Sequence, residues 1–223
     1  MRPGIYEGPV EVTDKSLRIT GQGSDPGAVT IRHSGRMAGV VVRNGSLEME
    51  KVRVMYGTPN EFPIREPHGA LYATGSTVLL RRVELGTPGF GEPALIAEQG
   101  DRPSRLTVVD SELMGGRATV ILRGPLKARF TRAKIAGRLP VAAWLEASVE
   151  LADCRYDDAP QTEINAYEGA TATVTGPRRP RVVGVRGSES TAVEAYFGSS
   201  TSLVRRAFSR DIFRRGRAPG TLP

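Results

Sequence analysis

The stretch Arg65-Glu66-Pro67-His68-Gly69, within FPIREPHGALYA, carries one of the 2 histidines in the chain. Imidazole is the side chain whose unperturbed proton exchange falls near neutral pH, so His68 is a candidate general base. Arg65 would supply a cation for an anionic group, and Glu66 a carboxylate helper. The competing reading is a loop that happens to hold a histidine. The other histidine, His33 in TIRHSGR, falls in a different turn and has no evident partner in the sequence. Tyr156-Asp157-Asp158 offers paired carboxylates, but the setting is that of a solvated turn.

The elements that would position such residues follow from composition and period. Hydrophobic residues make up 39% of the 223 and aromatics 6%, beside 26 glycines and 16 prolines. Such a chain is rich in turns and small interior side chains, which argues against a helical bundle and fits one domain with a tail. The single cysteine excludes an intramolecular disulfide framework and argues against a cysteine zinc site. No apolar run reaches the roughly 18 residues of a membrane-spanning helix. The start, MRPGIYEGP, has no apolar core of a secretory signal, so a cytoplasmic or particle-associated protein is expected. No cofactor or metal is implied.

The net charge is +7, and it is unevenly spread. From Pro177 onward ten arginines face three acidic residues, Glu189, Glu194 and Asp211, which leaves the body near neutrality. Nucleic acid is therefore not the expected partner.

An internal repeat carries the architecture. SLEMEKVRV places apolar residues at Leu47, Met49, Val52 and Val54. The pattern returns at Val78, Leu80, Val83 and Leu85, then at Leu106, Val108, Ser111 and Leu113. It appears twice more, at Ala128, Phe130, Ala133 and Ile135, and at Val149, Leu151, Cys154 and Tyr156. Successive copies are offset by 31, 28, 22 and 21 residues. A second series comprises GVVVRNG, ALYATG, ALIAEQG, TVILRG, VAAWLE and EINAYEG. Two period-2 runs split by a two-residue kink predict two short strands meeting at a bend. Repetition then predicts stacked coils, because one rung cannot bury its own apolar side chains.

This pattern resembles the right-handed parallel β-helix of the pectate-lyase-like superfamily. PGIYEGPVEV, followed by SLRITGQG and AVTIRH, is similar to the first coils of that superfamily. The resemblance covers about residues 3–176 and implies an all-β solenoid of about seven coils of roughly 22–25 residues. A basic tail over 177–223 would follow, with an amphipathic helix near 201–215. In that superfamily a strand and a capping helix usually precede the Pro-Gly-x-Tyr turn, so another polypeptide or a longer chain is expected to cover this end.

The resemblance implies no single activity. The Asp-Phe run of pectinesterases and the Gly-His-Gly of polygalacturonases are missing from the sequence, and carboxylates do not recur as a pectate-lyase calcium site requires. Alginate C5-epimerases and related lyases carry Asp-Pro-His-Asp. Glu66-Pro67-His68-Gly69 keeps its Pro-His, lengthens the first acid and loses the second.

Strand alternation sorts the second series by side. With Val40/Val42, Leu71/Ala73, Leu95/Ala97, Val120/Leu122, Ala142/Trp144 and Ile164/Ala166 inward, the outward column is Val41, Tyr72, Ile96, Ile121, Ala143 and Asn165. A mostly apolar outer column marks a face that something covers. Trp144 and Cys154 are expected inside the solenoid. In the tail, Leu203, Val204, Ala207, Phe208 and Ile212 would share a helix face, with Arg205, Arg206, Arg210 and Arg214 largely elsewhere. The sequence thus points to a non-catalytic assembly module. It would bind protein partners, or copies of itself, through the outer column and the tail arginines. The alternative is a protein that binds an acidic polysaccharide, or a uronate lyase or epimerase working through His68.

Overall fold

The computed structural model describes residues 1–35, 37–57, 68–87, 92–116, 118–137, 139–156, 163–176, 180–185, 192–197 and 200–205. At 181, 185, 192–197 and 200–205 it describes the backbone alone. Nearly every element is a short strand, and the strands come in threes. The first coil holds β1 (Gly4–Glu7), β2 (Val10–Thr13) and β3 (Ser16–Thr20), and the second holds β4 (Val29–His33), β5 (Val40–Arg43) and β6 (Ser46–Glu50). The third has β7 (Arg53–Tyr56), β8 (Leu71–Thr74) and β9 (Thr77–Arg81), and the fourth β10 (Glu84–Gly86), β11 (Leu95–Glu98) and β12 (Arg105–Val109). Then come β13 (Glu112–Met114), β14 (Ala118–Arg123) and β15 (Lys127–Thr131), followed by β16 (Lys134–Ala136), β17 (Leu139–Trp144) and β18 (Ser148–Ala152). The seventh coil is β19 (Arg155–Tyr156), β20 (Glu163–Tyr167) and β21 (Thr171–Thr175).

The first strand of every coil joins one parallel sheet, A, the second joins sheet B and the third joins sheet C. The chain is therefore a right-handed parallel β-helix, as its repeat predicts. Sheets B and C continue with β22 (Arg181–Val185) and β23 (Ala192–Phe197), and β24 (Ser200–Arg205) returns antiparallel beside β23. Of the helix expected near 201–215, the first residues are corrected, since Thr201–Arg205 lie in a strand, and 206–215 fall outside the described residues. The β-branched Thr201 and Val204 suit a strand, and pairing with the neighbouring β23 outweighs the helical spacing of the apolar residues.

Stacking fixes the interior. Leu47, Val78, Leu106, Ala128 and Val149 are successive register partners, as are Met49, Leu80, Val108, Phe130 and Leu151. All ten are buried. Between sheets C and A the chain turns on a residue in the left-handed region: Lys51, Arg82, Asp110, Arg132 and Asp153 have φ near 50°. That conformation is uncommon for residues with side chains. It holds here because each N–H stays in the ladder, as when Asp110 donates to Thr131 O at 3.0 Å. At the equivalent position in the first coil stands Gly21, where a Cβ would lie 1.9 Å from Lys51 O. Cys154, just past one such bend, is buried, and burial pushes its thiol up to about 11, so it is a structural residue.

Candidate functional site

His68 sits at the A-to-B corner, where the connections vary in length. It follows β7 and precedes Gly69, which adopts φ +117° and whose added Cβ would stand 2.4 Å from Pro93 O. Only glycine fits there. Gly39 N donates to Gly69 O at 3.0 Å, so the residue is tied to the preceding coil.

The partner of His68 comes from the next coil. His68 Nε2 lies 2.7 Å from Glu92 Oε2, with the Glu92 side chain only 9% exposed and His68 31%. Glu92 is itself held: its carbonyl accepts from Gly116 N at 2.7 Å and from Thr87 Oγ1 at 3.0 Å. A buried carboxylate this close to the imidazole favours one orientation of the ring. The preceding coils add two rings. Tyr56 is fully buried and donates to Gly35 O at 2.8 Å; burial, and then the charge of Glu92, push its hydroxyl up to about 12. His33 lies 6.3 Å from the Tyr56 ring, and burial lowers its pKa while Glu7 opposes the shift.

Of the sequence candidates, the structure places His68 in this cluster, while Arg65 and Glu66 lie outside the described residues. Sequence reading missed Glu92 and Tyr56. A signal for Glu92 exists: GEPAL repeats the Glu-Pro and Ala-Leu of REPHGAL one coil later. Leu71 N donates to Ala94 O at 3.0 Å, in keeping with that alignment.

Beside this corner, the outer face of sheet A forms a groove of about 660 Å³ lined by Ile5, Met55, Gly86 and Met114. Ile5 is 61% exposed and Met114 50%. Met55 reaches over Gly86, where an added Cβ would meet its Sδ at 2.8 Å. The borders are ionic: Arg53 pairs with Glu84 at 2.5 Å and Lys134 with Glu112 at 2.6 Å.

The predicted outer column of sheet B exists, with Val41, Tyr72, Ile96 and Ile121 in register. It is not an open stripe. Val41, Tyr72 and Ile96 are 1%, 8% and 5% exposed, and they form a second apolar cluster with Ala38, against which Met37 and Ile121 pack. The fifth member is a correction: Ala142 partners Ile121, and Ala143 faces the core with Val141. Asn165 is the next partner of Ala142.

The same one-residue phase change moves Trp144 out of the interior. It is half-buried on the outer face, stacked on Tyr167 at 4.8 Å with planes 6° apart, and Arg123 lies 5.9 Å from its ring centre. Arg123 and Tyr167 come from the coils on either side, so both faces of the indole are occupied within the chain and it offers no platform for a sugar. Of the tail arginines, Arg205 ends β24, and Arg206, Arg210 and Arg214 lie outside the described residues. Among the described residues no helix is long and apolar enough to cross a membrane.

No family model, curated protein or solved structure matches the chain.

Proposed function

We propose that this chain is a non-catalytic β-helix of the pectate-lyase-like superfamily, an interaction module that holds a protein partner on the outer face of sheet A. The observation that carries the reading is the groove with Met114 and Ile5 exposed on its floor and rim. Methionine adapts to varied apolar partners, and exposed apolar surface framed by charge is the usual dress of a protein contact. The sheet B column was the first expectation for this role, but its apolar side chains already pack within the chain. The basic tail remains a second contact in this reading.

The test is capture of a partner from the source cells by the wild type and by two variants. Met114→Asp should abolish capture of any protein that the wild type retains. Leu79→Asp, on the outer face of sheet C, should leave it unchanged. Equal retention by all three, or no retained protein with a monomeric chain in solution, would refute the proposal.

A second reading is favoured by one observation, the His68–Glu92 pair at 2.7 Å. An oriented histidine suits proton removal next to the carboxylate of a uronate, so the rival function is an acidic-polysaccharide lyase or epimerase. Incubation with pectate, alginate and glycosaminoglycans separates the two. Ultraviolet absorbance of an unsaturated uronate, or NMR-detected epimerisation, lost on His68→Ala would establish the rival. No product from any polymer would dismiss it.

A further inference from the structure

We propose that the partner held by sheet A is a second copy of this chain, packed face to face about a two-fold axis. The inference rests on the sheet A reading and names its occupant. Along one outward row of that sheet, Glu84, Glu112, Lys134 and Arg155 are register partners on four successive coils. The row therefore runs acid, acid, base, base along the solenoid.

Within one chain that order is unfavourable. Like charges side by side on adjacent strands oppose pairing, and the row has two such contacts, Glu84 beside Glu112 and Lys134 beside Arg155. Arg53 pairs with Glu84 and Lys134 with Glu112, while Arg155 is exposed and has no ion pair among the described residues. The middle outward row of sheet C is ordered differently: Arg18 pairs with Glu48 and Arg129 with Glu150, each within the chain. Sheet C also stacks two cations, Arg105 and Lys127, but no acid stands in their row, so a reversed copy of it does not compensate them.

On sheet A a reversed copy does. Rotation by 180° about an axis along the strands lays a second sheet A on the first with its coils in the opposite order. Glu84 then faces Arg155 of the second copy and Glu112 faces its Lys134, and each contact occurs twice. Sheets packed face to face lie about 10 Å apart, a gap that a glutamate and a lysine or arginine span together. The apolar row agrees with this register. Gly86, Met114 and Ala136 are neighbouring outward residues on three of the same coils. The axis that joins Glu112 to Lys134 sets Met114, 50% exposed, over the small Ala136 of the second copy. Exposed ion pairs contribute little each, so burial of Met114 supplies the affinity and the charges select the register. The strands involved are two or three residues long, which makes the contact narrow and the dimer reversible.

The experiment is analytical ultracentrifugation of the full chain at concentrations up to about 100 µM, where narrow interfaces become populated. The wild type should form a dimer and nothing larger, since a two-fold contact closes on itself. Arg155→Glu and Glu84→Arg should each weaken self-association at least about tenfold, because each sets like charges opposite one another across the axis. Mixed in equal amounts, the two variants should form a heterodimer within about threefold of the wild-type affinity, which also shows that both fold. Arg105→Glu, a charge reversal on sheet C, should dimerise as the wild type does. A mixture that does not recover, or equal weakening by Arg105→Glu, would overturn the proposal. A monomer whose capture of another protein still depends on Met114 would overturn the second copy alone. A monomer that captures nothing would overturn the sheet A reading with it.

Discussion

Two corners of the same solenoid obey opposite rules. Between sheets C and A every bend from β6/β7 to β18/β19 is two residues long, with a left-handed residue first and an inward residue second. Between sheets A and B the connection runs from Tyr56 to Leu71 in one coil and only from Ala136 to Leu139 in another. The C-to-A bend keeps its own N–H in the ladder, so an added residue would break pairing in that coil and turn its strand inside out. At the A-to-B corner the residues next to the strands also stay in the ladder, as when Gly57 N donates to His33 O at 2.8 Å, but the length of the connection differs from coil to coil. These connections are free to lengthen, and it is there that His33, Tyr56, His68 and Glu92 gather. Constancy at one corner supplies the rigid frame, and the variable corner is where these titratable side chains meet.

The comparison breaks most readily under equal insertions. A glycine inserted between Arg82 and Val83 should cost at least about 3 kcal/mol, or prevent folding, because it disrupts the buried face of β10. One inserted after Gly35, in the A-to-B connection of the second coil, should cost less than about 1 kcal/mol. Urea denaturation of both variants measures the contrast, and similar losses would erase the distinction between the corners.

The next effect sharpens what is rigid within the variable corner. Gly69→Ala should destabilise by about 2 kcal/mol, since the backbone is left-handed and the new methyl meets Pro93 O. Smaller again is the coupling between His68 and Glu92. A double-mutant cycle with His68→Ala and Glu92→Ala should give an interaction of about 1 kcal/mol at neutral pH, and a coupling near zero would mean that the contact is incidental.

The smallest effect belongs to the constant corner. Hydrogen bonds from Arg132 at 2.6 and 2.9 Å hold the Asp110 carboxyl below its ordinary range. A carboxyl whose folded pKa is depressed adds stability above its unfolded pKa and loses it as pH falls through the folded value. Asp110→Asn should therefore melt slightly below the wild type at neutral pH, with the difference vanishing in acid. Both side chains are exposed, so the effect is small.

What the sequence discloses follows the same division. The constant corner repeats its apolar pattern, and Leu47, Val78, Leu106, Ala128 and Val149 can be aligned by eye in the register that the sheets adopt. Sheet B is legible for four coils and slips at the next. Val141-Ala142-Ala143-Trp144 is apolar throughout, and alternation cannot set its phase; pairing with β14 does. The site is harder to read. His68 is visible as a residue type, whereas Glu92 becomes its partner only because coils one repeat apart are adjacent in space. The burial of Val41, Tyr72 and Ile96 depends on packing with Ala38 and Met37, which no strand pattern contains.

The most direct test of the central claim, that sheet A holds the partner, is site-specific cross-linking. A photoreactive amino acid at Met114 should give a cross-linked species of one defined mass in source-cell extract, and the same group at Leu79 should give none. Cross-linking at 79 with none at 114, or at neither position, would contradict the account.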